Sequence, residues 1–255
     1  MTEAGLVVEG LRVTLGGREI LHGVDFAVAP GRVVGLVGES GSGKTTIARA
    51  VAGFVSSRGS IRLDGTELGG DRRHRTVRRS IQLVPQDPYT TLNPRLRIGR
   101  VLEELLGLHR LPPGGGRTAR RARAVALMEQ VGLDAAALQR RPSQFSGGQR
   151  QRVALARALA VEPRVLLADE PTSSLDVSVQ RTVLDLVAGL SRDAGVATLL
   201  ITHDLSVVHA VCDEVVVLRA GEVVETAPAD RFFTAPAHPY SRRLLAAVPR
   251  LEASP

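Results

Sequence analysis

The stretch "VVGLVGESGSGKTTIARAVAGF" (33–54) decides the fold of this chain, because three kinds of local structure follow one another in it. The apolar residues 33–37 predict a buried strand, a glycine-rich turn follows at 38–46, and the spacing of apolar residues after it is typical of a helix. GxxxxGK[ST] in this context is the pattern of a phosphate-binding loop. A glycine-rich surface turn is the structural alternative, and the flanking strand and helix argue against it.

Each residue type in this loop has a reason in phosphate chemistry. Glycines let backbone amides curl around phosphates, and the helix N-terminus adds unpaired N–H groups and partial positive charge. Lys44 is the only lysine among 33 basic residues, and its compact ammonium fits a crowded loop where a planar guanidinium does not. We expect Lys44 to reach the β- and γ-phosphates of a nucleotide and Thr45 to offer its hydroxyl to Mg²⁺. The candidate nucleotide-binding residues of the loop are Gly38, Ser40, Gly41, Ser42, Gly43, Lys44, Thr45 and Thr46.

The composition suits one compact globular unit. The chain has 255 residues, 44% of them apolar, and a formal net charge of +7. Because neither a membrane-spanning run nor a signal-peptide pattern is visible, and the single Cys212 excludes an internal disulfide, we expect a cytosolic chain. The basic runs 71–79 and 117–124 would suit nucleic acid, but only 3% of the residues are aromatic. Solvent-exposed arginine faces are the better interpretation, and no nucleic acid partner is expected.

The alternation of short apolar runs with helical segments predicts an α/β fold with a largely parallel sheet. The predicted strands are "RVVGLVG", "SIQLVPQ", "RVLLADE", "ATLLITHD" and the hairpin "DEVVVLRAGEVVE". Two further stretches, "LVVEGLRVTLGGREILHGVDFAV" and "GSIRLDGTEL", predict antiparallel strands beside this sheet. From about Thr91 to Leu159 the pattern is helical and contains no strand run. This predicts an inserted helical subdomain.

Polar side chains follow three of the predicted strands where each strand ends. Asp169 and Glu170 end "RVLLADE", His203 follows "ATLLI", and Gln86 follows "SIQLV". The carboxyl ends of parallel strands meet at one edge of a sheet, where ligands gather. Asp169, Thr45 and Gln86 can bind Mg²⁺, while Glu170 can deprotonate an attacking water with His203 as the second catalytic candidate. A purely structural histidine at position 203 stays open as an alternative.

The stretch "FSGGQRQRVALARALA" (145–160) predicts a second helix start with exposed backbone amides. Ser146, Gly147, Gly148 and Gln149 stand at its N-terminus, which makes it a second candidate anion site. One chain then has two phosphate-binding helix starts and one phosphate loop. A dimer, in which this helix covers the nucleotide of the partner, reconciles the two. A serine-capped helix with glycines for packing is the alternative for this stretch taken alone.

Together these motifs resemble those of ATP-binding cassette (ABC) ATPases over nearly the whole chain. The family also has a loop like "SSLD" (173–176), whose Asp176 meets the partner subunit. The resemblance implies ATP and Mg²⁺ as ligands, and an α/β P-loop NTPase fold with a RecA-like core, an antiparallel β subdomain and an inserted helical subdomain. Within a single ABC ATPase domain at 1–255, it implies core plus β subdomain at 1–90 and 160–235, a helical signature subdomain at 91–159 and a short C-terminal extension at 236–255.

The resemblance also implies partners and a location. These are a second ABC ATPase subunit, identical or related, two membrane permeases and, indirectly, a substrate-binding protein, at the cytoplasmic face of the cell membrane. Segments 86–99 and 236–249 are similar to those of oligopeptide, dipeptide and nickel importer ATPases. The ATPase of a soluble complex such as carbon–phosphorus lyase is the alternative. Two residues depart from the family pattern: Leu15 replaces an aromatic residue that stacks on adenine, and Phe145 replaces a commoner leucine.

Overall fold

The computed structural model describes residues 5–68, 79–173 and 175–247. Within these residues the predicted α/β pattern is confirmed, with two β-sheets, eight α-helices and three short 3-10 turns. Of the two basic runs, 71–78 lies outside the described residues and 117–124 lies in a helix. No helix in the described part is long and apolar enough to cross a membrane.

The larger sheet carries the strands that lead to the predicted site. Its strands are β3 (Val33–Val37), β6 (Ile81–Val84), β7 (Val165–Asp169), β8 (Ala197–Ile201), β9 (Glu214–Arg219) and β10 (Glu222–Pro228). They lie in the order β10, β9, β3, β8, β7, β6, and all neighbours are parallel except the β9 and β10 hairpin. Every residue of β3, β7 and β8 is buried, as expected of parallel strands covered on both faces. Their carboxyl ends share one edge of the sheet.

The smaller sheet is antiparallel, as predicted. It consists of β1 (Leu6–Leu15), β2 (Arg18–Val28), β4 (Arg58–Leu63) and β5 (Thr66–Glu67), in the order β2, β1, β4, β5. Its buried residues Leu11 and Leu21 belong to the same apolar cluster as Leu36 of the larger sheet and Ile47 of the helix after it. The strand and helix on either side of the glycine-rich loop are therefore packed into a core that both sheets share.

The helices cluster in the middle and at the end of the chain. They are α1 (Lys44–Val51), α2 (Ile98–Leu108), α3 (Arg117–Gln130), α4 (Gly147–Leu159), α5 (Val177–Ala194), α6 (Leu205–Val211), α7 (Ala229–Thr234) and α8 (Pro239–Ala246). Residues 85–164, all of them described, contain helices and 3-10 turns but no strand. Leu102 and Leu127 of this stretch are buried in one cluster with Leu166 and Val183. The inserted helices thus share an apolar core with the sheet.

The last described segment packs against the hairpin edge of the larger sheet. α7 and α8 bury Phe232 and Tyr240 in a cluster with Val37 and Val217. Cys212 packs against this cluster, and burial raises the pKa of its thiol to about 12. Because Val37 is the last residue of β3, this cluster places the C-terminal segment beside the start of the glycine-rich loop.

Candidate functional site

The glycine-rich loop joins the end of β3 to the start of α1, and its backbone requires glycine. Gly38, Gly41 and Gly43 have φ values of 153°, 79° and 111°. Residues with a side chain rarely adopt such values. A side chain at Gly38 would also collide with the backbone oxygen of Leu218, whereas one at Gly41 would meet open space. The loop is therefore pressed against β9 at its beginning and open to a ligand at its tip.

Lys44 is the first residue of α1, and its side chain is buried beneath the loop. Its Nζ donates hydrogen bonds to the backbone oxygens of Gly38 at 2.7 Å and Glu39 at 2.8 Å. Burial lowers the pKa of the ammonium, and the nearby carboxylates of Glu170 and Asp169 oppose that shift. The single lysine of the chain thus lies between the loop and the acidic end of β7. From there its positive charge would attract a phosphate bound at the loop.

Asp169 ends β7 and is buried, and it accepts a hydrogen bond from Thr45 Oγ1 at 3.3 Å. Burial raises the pKa of its carboxyl, and the hydrogen bond from Thr45 opposes the shift. Gln86 uses its amide nitrogen to donate to Glu170 and Ser173, so its carbonyl oxygen is the atom suited to a cation. A hydroxyl, a carboxylate and an amide oxygen fit Mg²⁺, which binds one or two carboxylates together with phosphates and water.

Glu170 is held at both carboxylate oxygens. Its Oε1 lies 2.9 Å from Nδ1 of His203, and its Oε2 accepts a hydrogen bond from Nε2 of Gln86 at 2.9 Å. The three residues follow the ends of β7, β8 and β6, so the sheet edge brings them together as expected. Glu170 has φ of 46°, in the left-handed region that side-chain-bearing residues seldom adopt. Such strain clusters at functional sites, and here it accompanies a carboxylate whose orientation is fixed.

An open cleft of about 500 Å³ lies over the loop. Its lining contains Ile20 and nine of the residues predicted for nucleotide binding and catalysis: Ser40, Gly41, Gly43, Lys44, Thr45, Thr46, Gln86, Glu170 and His203. Three others predicted for the same site, Gly38, Ser42 and Asp169, do not line the cleft, and the Ser42 side chain is buried. The phosphate loop and the Glu170 group therefore line one common space.

Ile20 of β2 is the lining residue that the sequence analysis missed. Its neighbour Leu21 is fully buried, so alternation along the strand turns Ile20 towards the other face of the small sheet. Leu15, which stands in the adenine position of the family pattern, is 43% exposed at the end of β1 and does not line the cleft. An apolar residue on the outward face of a half-buried strand was the available signal.

The predicted second anion site lies at the start of α4, apart from the lining of the cleft. Ser146 caps this helix: its Oγ accepts a hydrogen bond from the Gln149 backbone N–H at 3.3 Å, and the Gln149 side chain accepts one from the Ser146 N–H at 3.1 Å. Phe145, before the cap, is buried, and the Arg140 guanidinium lies 4.1 Å from its ring centroid. Both side chains of the cap are therefore engaged within the helix start.

Packing accounts for one glycine of this helix start. A side chain at Gly148 would collide with Val179 of α5, so the close approach of α4 and α5 requires glycine there. Asp176 caps α5, since its Oδ1 accepts a hydrogen bond from the Val179 N–H at 3.0 Å. The close packing of α5 thus accounts for the glycine at position 148, and the Ser146 side chain at the helix start is exposed.

The arrangement defines a class of protein. A parallel sheet leads through a glycine-rich loop into a helix that begins with Lys44, and a carboxylate pair follows a neighbouring strand. These are the parts of a P-loop nucleotide-binding site. Residues 21–173 match the family model of ABC transporters, and residues 224–254 match that of the oligopeptide/dipeptide transporter C-terminal region. The chain belongs to the ABC transporter family.

Individual relatives agree with this family. The chain is 44% identical to a putative peptide import ATP-binding protein of Brucella ovis and 45% identical to the di/tripeptide transport ATP-binding protein DppF of Pseudomonas aeruginosa, covering 91% and 92% of this chain and 73% of each relative. The chain is also 44% identical to the uncharacterized ABC transporter ATP-binding protein YejF of Escherichia coli. This match covers 89% of the present chain and 43% of YejF. The expected resemblance to peptide importer ATPases is confirmed.

Solved structures support the fold. The cbiO1 protein from Clostridium perfringens, titled part of the ABC transporter complex cbiONQ, matches with a TM-score of 0.80 and 26% identity over 91% of each chain. The ATP-binding cassette MJ0796, titled as a dimer bound to ADP and Pi, matches with a TM-score of 0.77 and 28% identity over 88% of this chain and 98% of that one. The predicted fold class and the ABC ATPase class are confirmed, while nickel as cargo stays a prediction.

Proposed function

We propose that the chain is the ATP-binding and ATP-hydrolysing subunit of a bacterial importer that takes up oligopeptides or dipeptides. The observation that carries the hydrolytic part is the Glu170 carboxylate, which His203 and Gln86 hold in the cleft that the phosphate loop also lines. The peptide class is supported by the match of residues 224–254 and by the names of the Brucella and Pseudomonas relatives.

Nucleotide binding begins at the loop in this proposal. The backbone N–H groups of residues 40–46 and the start of α1 surround the phosphates, and Lys44 offsets their negative charge. Ile20 supplies an apolar wall for the nucleoside, in the place of the aromatic contact that Leu15 does not provide. Because apolar contact is weaker than stacking on an aromatic ring, phosphate binding supplies most of the affinity.

Three oxygen donors in or next to the cleft suit a magnesium ion. Thr45 Oγ1 and the Asp169 carboxylate are already neighbours, and the Gln86 amide oxygen is the third candidate. Mg²⁺, when bound there, would neutralise charge on the β- and γ-phosphates. Protonated Asp169 would be a poor ligand, and the Lys44 charge and the Thr45 hydroxyl both favour the carboxylate form.

Glu170 is the general base of the proposed reaction. Water attacks the γ-phosphorus as its proton passes to a Glu170 oxygen, the bond to the bridging oxygen breaks, and ADP and phosphate leave. Each carboxylate oxygen has lone pairs beyond the one engaged with His203 or Gln86, so both contacts persist while the proton is taken. The two contacts keep the carboxylate aligned, and His203, which is largely exposed, is positioned to contact the γ-phosphate.

A second ATPase subunit, a copy or a relative of this chain, completes the proposed site. The residues proposed to contact the partner's nucleotide site are Ser146, Gly147, Gly148, Gln149 and Asp176. None of them lines the cleft of its own chain. The similar ATP-binding cassette MJ0796, whose solved structure is dimeric, supports this arrangement. We include the domain division in the proposal: a RecA-like core with β subdomain at 1–90 and 160–235, a helical signature subdomain at 91–159 and an extension from 236.

The remaining proposed partners are two membrane permeases and, through them, a substrate-binding protein. The chain then works as a peripheral subunit at the cytoplasmic face of the cell membrane. The similarity to cbiO1, a part of the ABC transporter complex cbiONQ, and to relatives named import proteins supports this assignment.

The proposal is tested by purifying the Glu170→Gln chain from its native cells in mild detergent with ATP present, and identifying what accompanies it. A pair of multi-span permeases, with or without a second ATPase, is expected, and their amount should fall when ATP is left out of the buffers. Soluble metabolic enzymes in their place would overturn the importer and favour a complex of the carbon–phosphorus lyase type. Uptake of labelled dipeptides and of nickel ions is then compared between unmodified cells and cells that carry only the Glu170→Gln chain. The cargo whose uptake the variant cells lose is the one that this ATPase transports.

A further inference from the structure

The C-terminal segment touches the phosphate loop at one point. The backbone N–H of Glu39, the second residue of the loop, donates a hydrogen bond of 3.0 Å to the phenol oxygen of Tyr240 in α8. The two residues are 201 positions apart in the chain. Glu39 itself is exposed, whereas Tyr240 is only 2% exposed, so the contact joins an exposed residue of the loop to a buried ring.

The phenol is held firmly in this position. The Glu225 carboxylate of β10 accepts hydrogen bonds from the backbone N–H groups of Ala237 at 2.8 Å and His238 at 2.9 Å, and His238 caps α8 by accepting from the Tyr240 N–H at 3.1 Å. The Arg219 guanidinium lies 5.3 Å from the centroid of the Tyr240 ring. The ring is therefore fixed from the backbone side and from β9.

The same peptide unit of the loop is bound from both sides. The peptide bond between Gly38 and Glu39 has its N–H directed to Tyr240, and its C=O, the Gly38 oxygen, accepts the hydrogen bond of 2.7 Å from Lys44 Nζ. In a planar trans peptide these two groups point in opposite directions. This peptide plane and the Glu39 carbonyl oxygen together hold Lys44, and Tyr240 fixes the orientation of the plane.

We propose that Tyr240 is a positioning residue for the phosphate loop, through which the C-terminal segment at 236–247 controls nucleotide affinity. This inference rests on the proposed function, because it assumes that the loop binds a nucleotide. Without the phenol oxygen, the Glu39 N–H loses its partner and the peptide plane turns more freely. Each binding event must then order the loop and Lys44 again, which weakens phosphate binding and leaves the chemistry at Glu170 unchanged.

The chain supplies its own matched control, because it contains two tyrosines. Tyr240→Phe keeps the buried ring and removes only the oxygen. Tyr89→Phe makes the same change at a ring that is 45% exposed and lies 4.2 Å from the Arg150 guanidinium. Calorimetric titration with ADP and Mg²⁺ should show about five- to tenfold weaker binding for Tyr240→Phe and less than about twofold change for Tyr89→Phe. In steady-state hydrolysis, KM for ATP should rise by a similar factor while kcat stays within about twofold.

Hydrogen exchange at the Glu39 amide gives a second readout that needs no nucleotide. In the unmodified chain this amide should be protected, and in Tyr240→Phe it should exchange faster while the amides of β3 and α1 keep their protection. The inference would be overturned if Tyr240→Phe bound ADP as tightly as the unmodified chain. It would also be overturned if the Glu39 amide were unprotected in the unmodified chain, or if amides exchanged faster throughout Tyr240→Phe. If the unmodified chain bound no nucleotide, the proposed function would fail instead, and the exchange measurement would still test the Tyr240 contact.

Discussion

Replacing Glu170 by Gln separates the chemistry of the site from its structure. Glutamine has the same shape as glutamate, and its oxygen can accept the hydrogen bond from Gln86 Nε2. Its amide group can donate to His203 Nδ1 when the imidazole carries its proton on Nε2. Both contacts of the carboxylate can therefore be remade, and only the ability to accept a proton is lost.

The magnitudes follow from this difference. Because both hydrogen bonds can be kept, the free energy of unfolding should change by less than about 1 kcal/mol. Loss of a general base lowers kcat by about 10²- to 10⁴-fold, which corresponds to about 3 to 5 kcal/mol at about 1.4 kcal/mol for each factor of ten. Nucleotide affinity should hold or rise slightly, since a negative charge beside the phosphates is removed.

The assay is phosphate release at saturating ATP, together with ADP titration and urea unfolding of the same preparations. Glu129→Gln, at an exposed position of α3, is the matched control and should hydrolyse ATP as the unmodified chain does. A Glu170→Gln protein with unchanged steady-state hydrolysis would refute the assignment of the base. A protein that lost both hydrolysis and several kcal/mol of stability would show that the carboxylate supports the fold and would refute the reasoning from its two hydrogen bonds.

Three further predictions concern packing and the thiol. Gly148→Ala should destabilise the chain by about 1 to 3 kcal/mol in urea unfolding, because α4 and α5 leave no room for its methyl group. Gly189→Ala, inside α5 and with only a side-chain oxygen at 3.9 Å, should instead stabilise it by up to about 1 kcal/mol. Leu102→Ala, at a buried position of α2, should cost about 2 to 5 kcal/mol, and Leu108→Ala, at a residue 77% exposed in the same helix, less than about 0.5. The Cys212 thiol should react slowly with a disulfide reagent at pH 8 and quickly once the chain is unfolded, because burial raises its pKa from 9.0 to about 12.

The thiol also has a consequence for alkaline stability. Its pKa is higher in the folded chain than in the unfolded chain, so its contribution to stability is fully present below about pH 9 and is lost as the pH rises towards 12. The free energy of unfolding, measured from pH 8 to pH 11, should therefore decline, and the decline should be smaller in Cys212→Ala.

Equal effects of the two glycine variants, or of the two leucine variants, on the free energy of unfolding would contradict the packing described for α4 and α2.

Local sequence was sufficient for the elements that flank the site. Short continuous apolar runs predicted the strands at 33–37 and 165–169, and the Ser146 cap predicted the start of α4, because each depends on residues close together in the chain. The carboxyl ends of parallel strands meet by rule, so Gln86, Glu170 and His203 could be expected at one edge of the sheet before the structure was known.

Local sequence does not predict features that depend on which distant surfaces pack together. That the glycine at position 148 admits a neighbouring helix became visible only with α5 packed against it. In the sequence, Ile20 is indistinguishable from the other apolar strand residues. It lines the cleft only because β2 lies beside the loop. In each case the residue type allows several environments, and tertiary packing selects one of them.

Short motifs were sufficient to predict a phosphate loop with one lysine, an acidic strand end and a capped second helix, since the backbone geometry of each follows from its own residues. The contacts that hold both oxygens of Glu170, and the hydrogen bond between Tyr240 and Glu39 across 201 positions of the chain, emerge only once the whole chain is packed. The reason is physical: hydrogen bonds between distant segments form only after apolar burial has fixed the spacing of sheets and helices, and that spacing is a property of the whole core.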